Sequence, residues 1–138
     1  MKSLLHHVFV LLTLTVVAHP ADLTSSGDWS ESITSANLVA GAGSDVRSQL
    51  ESVSGVTTLT ISTAPGTWSL RVRLSGNGGS GDVTVQVKRT SGGSGSGSIS
   101  GGTAYQALTG SDAELFSGSG DRSNISIQYK LTGLSRGV

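Results

Sequence analysis

The sequence predicts an all-β protein, an antiparallel sandwich of roughly six to eight short strands behind an N-terminal signal peptide. Three observations carry this. Apolar residues fall at every second position in several segments, Gly/Ser-rich turns separate those segments, and the first eighteen residues have the build of a secretory leader. With few aromatic residues, the core has to come from Val, Leu and Ile, which suit a pleated sheet.

The leader reads first. Met1-Lys2-Ser3 carries one positive charge, and residues 8–17 are drawn only from Val, Phe, Leu and Thr. Val16-Val17-Ala18 then offers small or β-branched residues to a signal peptidase. The apolar run is shorter than the roughly 20 residues that span a bilayer, so no stable membrane span is expected once it is cleaved. Residues 1–18 are thus expected to be a signal peptide and 19–138 a single domain in a periplasmic or extracellular setting.

Trp29-Ser30-Glu31-Ser32-Ile33 and Leu38-Val39-Ala40 are candidate early strands. Val46, Leu50 and Val53 share one helical face, so residues 46–53 suit one or two helical turns as well as an extended segment. Thr58-Leu59-Thr60-Ile61-Ser62 alternates, and Ala64-Pro65-Gly66 marks a turn. Trp68, Leu70, Val72 and Leu74 then define a strand with one buried face, and Val83, Val85 and Val87 another. These two are expected to pair as a hairpin across residues 76–81.

Gly92-Gly93-Ser94-Gly95-Ser96-Gly97-Ser98 has no apolar residue to bury and reads as a flexible stretch. A short strand is expected near Tyr105, and a strand or a single helical turn at residues 113–116. The last clear strand holds Ile125, Ile127, Tyr129 and Leu131. The expected core is Trp68, Leu70, Val72, Val83, Val85, Val87, Ile125, Ile127 and Tyr129. Ser-Gly-Asp occurs at 26–28, 80–82 and 119–121, and turn chemistry accounts for it. After the last strand a sandwich needs a closing strand. It comes from the first half of the chain, from a neighbouring molecule, or from residues beyond Val138. A small barrel satisfies the same strand rhythm.

The chemistry is sparse. There is no cysteine, and the expected mature chain retains only His19, so neither a Ser-His-Asp triad nor a His-based zinc site can be assembled. Asp112, Glu114 and Asp121 are read as loop acids rather than a glycosidase pair. Asp82, Asp112 and Asp121 lack the spacing of a calcium loop. No enzyme activity, cofactor or metal is therefore expected. The mature chain has eight basic and nine acidic residues, which disfavours nucleic acid as a partner. Trp68 reads as core; Trp29 is less constrained, and an exposed Trp can stack on a sugar ring. Arg71 and Arg73 share one strand face, expected to lie beside Gln86 and Lys88. That face is solvated, a subunit contact, or a site for an anionic polymer. Trp29, Arg71 and Arg73 are the candidate ligand or subunit contacts. Asn124-Ile125-Ser126 fits a glycosylation sequon.

The segments WSLRVRLS at 68–75, DVTVQVKRT at 82–90, ISGGTAYQALTGSD at 99–112 and FSGSGDRSNISIQYKLTGLS at 116–135 resemble bacterial exported proteins of the spore-coat-U and fimbrial-subunit kind. The resemblance covers about half the chain and departs from the family in lacking its disulfide and its final strand. It implies an immunoglobulin-like sandwich and a non-enzymatic coat or appendage subunit, with partners that are further copies or other surface subunits. Such subunits complete their sheets by β-strand addition. A carbohydrate- or matrix-binding module, with a glycan as partner, is the alternative.

Overall fold

The structure is a computed structural model that describes residues 5–6, 9–16, 21–32, 34–41, 43–75 and 83–134. The expected cleavage region at 17–20 (His19 included), Ile33, the expected turn at 76–81, Asp82 and residues 135–138 lie outside these. The chain order is β1 (Leu5–His6), β2 (Phe9–Val16), β3 (Asp22–Ser26), β4 (Glu31–Ser32), a 3-10 turn (Ser35–Asn37), β5 (Gln49–Glu51), β6 (Thr57–Ser62) and β7 (Thr67–Ser75). Then follow β8 (Thr84–Arg89), β9 (Ser94–Gly95), β10 (Ile99–Gly101), β11 (Gln106–Ala107), β12 (Ala113–Ser119) and β13 (Arg122–Thr132).

All pairings are antiparallel. The large sheet runs β11-β8-β13-β6-β3, with β5 and β9 also paired to β13. The second sheet runs β10-β12-β7-β2, and β1 pairs with β4 apart from both. Alternation places Leu59 and Ile61 of β6, Val85 and Val87 of β8, and Ile125, Ile127 and Tyr129 of β13 in one apolar cluster. Trp68, Leu70 and Val72 of β7 and Phe116 of β12 join them from the second sheet. Val83, expected in the core, is only partly buried against it. A register shift between Glu114 and Phe116 lets consecutive residues Leu115 and Phe116 both be buried.

The expected hairpin between the Trp68 and Val85 strands does not form. One edge of β7 is taken by β12 and the other by β2, while β8 lies between β11 and β13. Alternation shows which face of a strand is buried; it says nothing of which strand lies beside it.

Residues 46–53 are extended. Leu50 stands opposite Leu131, and buried Ser52 exchanges hydrogen bonds with the backbone of Tyr129, so pairing overrides the helical spacing. The candidate strand at 38–40 reduces to a single bridge, Leu38 to Val46. Residues 113–116 belong to a strand rather than a helical turn.

The Gly-Ser stretch expected to be flexible is instead built into the fold. Residues 84–101 run antiparallel to 113–132, and both chains pass from one sheet to the other at a shared corner. A Cβ at Gly93, Gly95 or Gly97 would lie 2.1, 2.1 and 2.2 Å from the carbonyl oxygens of Ser123, Asp121 and Ser119. The intervening serines meet partners: Ser94 Oγ lies 3.3 Å from Ser123 Oγ, and Ser98 Oγ lies 3.2 Å from Ser119 Oγ. Arg122 clasps the stretch, donating to the carbonyls of Gly92 at 2.8 Å and Gly97 at 2.9 Å.

A second crossing, from β6 to β7 through Ala64-Pro65-Gly66, packs on the same corner. The Ala64 amide donates to Asp121 Oδ1 at 2.8 Å, Gly120 N–H to the Gly66 carbonyl at 3.1 Å, and Trp68 Nε1–H to the Gly120 carbonyl at 2.9 Å.

Gly93 also has φ of 63°, which a side chain adopts only under strain. Gly93→Ala should therefore lose at least about 2 kcal/mol in urea denaturation. Gly110→Ala, with nothing within 4 Å of its Cβ, should change stability little. Equal stability of the two variants would contradict the corner.

Candidate functional site

The first candidate is the outer edge of β7. Its inner neighbour is β12, and its outer neighbour is β2 along nearly the whole strand, from Phe9 opposite Ser75 to Val16 opposite Trp68. In an antiparallel pair the N–H and C=O groups of alternate residues point to one neighbour, so β2 meets the backbone groups on that side. Residues 9–16 are the apolar run that the sequence reads as the leader. A first-half strand thus closes each sheet, β3 on β6 and β2 on β7, but the second lies wholly within the expected signal peptide.

The residues expected to contact a ligand or subunit are not brought together. Trp29 is half-buried and stacks on Tyr129, with ring centroids 5.9 Å apart and planes 4° from parallel. Tyr129 in turn donates its hydroxyl to Thr57 Oγ1 at 3.1 Å, and Thr57 donates to the Gly27 carbonyl at 3.0 Å. Trp29 therefore fastens the chain after β3 onto the large sheet and packs against the core.

Arg71 and Arg73 lie on the outward face of β7, away from Gln86 and Lys88 of the other sheet. Arg73 Nε is 3.7 Å from Asp112 Oδ1. Arg71 stands opposite Glu114, whose carboxylate accepts from Ser69 Oγ at 2.5 Å. This face is one of mixed charge, each arginine set against an acidic residue.

A third arrangement escaped the sequence reading. Tyr105 precedes β11 and crosses the outward face of the large sheet, with Lys88 Nζ 4.5 Å and Lys130 Nζ 4.2 Å from its ring centroid. Its hydroxyl is shielded from solvent, with the Glu51 carboxylate beside it. Burial first, then the charge of the Glu51 carboxylate and the hydrogen bond it accepts from the hydroxyl, push its pKa up to about 12, so it remains a proton donor at neutral pH. Alternation in β8 and β13 puts both lysines on the outward face. Only the pairing of those strands, Lys88 opposite Gln128 and Lys130 opposite Gln86, brings them to one ring.

Asp112 faces Arg73, and Asp121 accepts from the Ala64 amide. Among the described residues no three His, Cys, Asp or Glu side chains converge as metal ligands, and no helix is long and apolar enough to cross a membrane. The sequon's Asn124 is exposed, with φ of 59°, while Ile125 is fully buried in β13. Comparison with family models, curated proteins and solved structures gave no match to this chain, so the reading rests on its own geometry.

Burial also raises the pKa of Tyr129, against a smaller lowering by its Thr57 hydrogen bond. The fold therefore holds these tyrosine protons more tightly than the unfolded chain. Their contribution to stability is full below about pH 10 and is lost as pH rises above it. In urea denaturation, Tyr129→Phe should cost about 1 kcal/mol at about pH 8 and lose less stability than the parent by about pH 11. An unchanged alkaline loss would contradict a buried, protonated Tyr129.

Proposed function

We propose that this protein is a secreted or cell-surface structural or adhesive subunit of a bacterium, without enzymatic activity, that assembles by β-strand addition. One observation carries the reading: among the described residues the outer edge of β7 is paired with Phe9–Val16, the run that reads as a cleavable leader. Cleavage after Ala18 leaves that edge with unpaired N–H and C=O groups above Trp68, Leu70 and Val72. A row of unpaired backbone donors and acceptors beside an apolar face is a template for another extended strand. The resemblance to exported coat and fimbrial subunits, with their immunoglobulin-like sandwiches, supports the same role. So does a mature chain with no thiol and one terminal histidine.

A second reading, a carbohydrate- or matrix-binding module, is favoured by one observation: the aromatic and two lysines gathered on the outward face of the large sheet. The two readings differ in what the mature chain does alone.

Light scattering and electron micrographs of purified residues 19–138 test the proposal. A ladder of oligomers or polymers is expected. A stable monomer that unfolds cooperatively would reject strand addition and leave the binding module.

A further inference from the structure

Loss of residues 9–16 would open one edge of β7, and the rest of the sheet fixes which backbone groups point along it. Ser119 donates its N–H to the Ser98 carbonyl on the β10 side, so Gly118 and Phe116 turn theirs toward β7, opposite Trp68 and Leu70. Leu74 N–H also points away from the edge, to the Thr109 carbonyl. Thr67, Ser69, Arg71 and Arg73 therefore present their N–H and C=O groups along the outer edge.

Among the described residues no spare strand matches that edge. The other long strands, β6, β8, β12 and β13, each lie between two neighbours, so lending one to another molecule would dismantle the lender. What a second copy can offer intact is its own β7, with an equally long open edge. In an antiparallel pair about a two-fold axis, the outward-pointing residues must stand opposite one another, and the arginines select the register. Centred on Arg71, the pair sets Arg71 against Arg71; centred on Val72, it sets Arg71 against Arg73. Like charges directly opposite destabilise a sheet. Centred on Leu70, it sets Arg71 opposite Ser69 and Arg73 opposite Thr67, and pairs Thr67–Arg73 of both copies. A shift further back runs into the Pro65-Gly66 turn.

In the Leu70 register the buried rows join across the axis, Leu70 beside Leu70 and Trp68 beside Val72. Arg71 faces the other copy's Ser69, whose hydroxyl holds that copy's Glu114 carboxylate, so opposite charges approach across the join. On the premise that strand addition follows loss of residues 9–16, we infer that two mature chains join through their β7 edges, antiparallel and centred on Leu70, into one continuous sheet. The receiving edge and the added strand are then the same segment. The other sheet edges, β3, β10 and β11, are left for growth beyond this dimer.

Disulfide trapping in residues 19–138 tests this pairing, since the chain has no cysteine of its own. Thr67→Cys/Arg73→Cys sets cysteines opposite one another across the join, yet roughly 20 Å apart within one chain, too far to bridge. Mild oxidation should give a covalent dimer, twice the monomer mass on a non-reducing gel, and neither single variant should. The same double variant in the full chain, whose β7 edge is held by β2, should give none. Ser69→Cys/Arg73→Cys, directly opposite only in the register centred on Arg71, should not bridge. Ser69→Pro removes an N–H from the open edge and leaves the β12 side intact, so it should keep its far-ultraviolet dichroism and stay monomeric. Oligomers that form without the 67–73 bridge would overturn this pairing and leave strand addition standing. A mature chain that stays monomeric by light scattering would overturn both. Bridging by the 69–73 pair or by the full chain, or assembly unchanged by Ser69→Pro, would also overturn the pairing.

Discussion

Everything in this fold depends on two backbones coming close enough to leave no room for a side chain between them. At the corner where residues 84–101 and 113–132 leave one sheet for the other, glycines 93, 95 and 97 face the carbonyls of Ser123, Asp121 and Ser119. This contact lets two long strands serve both sheets and so encloses a single apolar cluster. The β6–β7 crossing then locks to the same place through Asp121, Gly120 and the Trp68 indole. An apolar side chain at any of these glycines would add area to bury, yet it would force the chains apart. Glycine is selected here by geometry rather than by mobility.

From this corner the two sheets diverge to different fates. The large sheet ends at β3 and β11, short strands that carry Asp22, Thr24 and Gln106 to its margins. The second sheet ends on one side at the short β10 and on the other at β2, which lies along β7, a strand nine residues long with three buried side chains. A long edge beside an apolar face is the kind that proteins ordinarily cover. In the full chain β2 covers it. The proposed role follows from asking what would cover it if residues 1–18 were cleaved.

Much of the fold was legible because it is written in alternation. The strands at 57–62, 67–75, 84–89 and 122–132 follow from period-2 patterning, and eight of the nine expected core residues are buried. Pairing was not legible, because alternation is blind to the neighbour; hence the hairpin that does not exist and the arginines set against Asp112 and Glu114 rather than Gln86 and Lys88. The Gly-Ser stretch was misread for a related reason. Absence of apolar residues marks a segment that buries no side chain, and one backbone packed on another has the same signature. Of the candidate contacts, Trp29 went to the core through Tyr129. The Tyr105 cluster was out of reach of sequence reading, since its three residues come from separate segments and meet only through strand register.

Hydrogen–deuterium exchange across residues 67–75 tests the central claim most directly, comparing the full chain, the 19–138 monomer and its assembled form. With β12 retained, about half of the β7 amides should stay protected in the monomer. The other half should exchange fast there, yet be protected in the full chain and again on assembly. Equal protection of that segment in the isolated 19–138 monomer would show that the edge is closed from within, and would contradict the account.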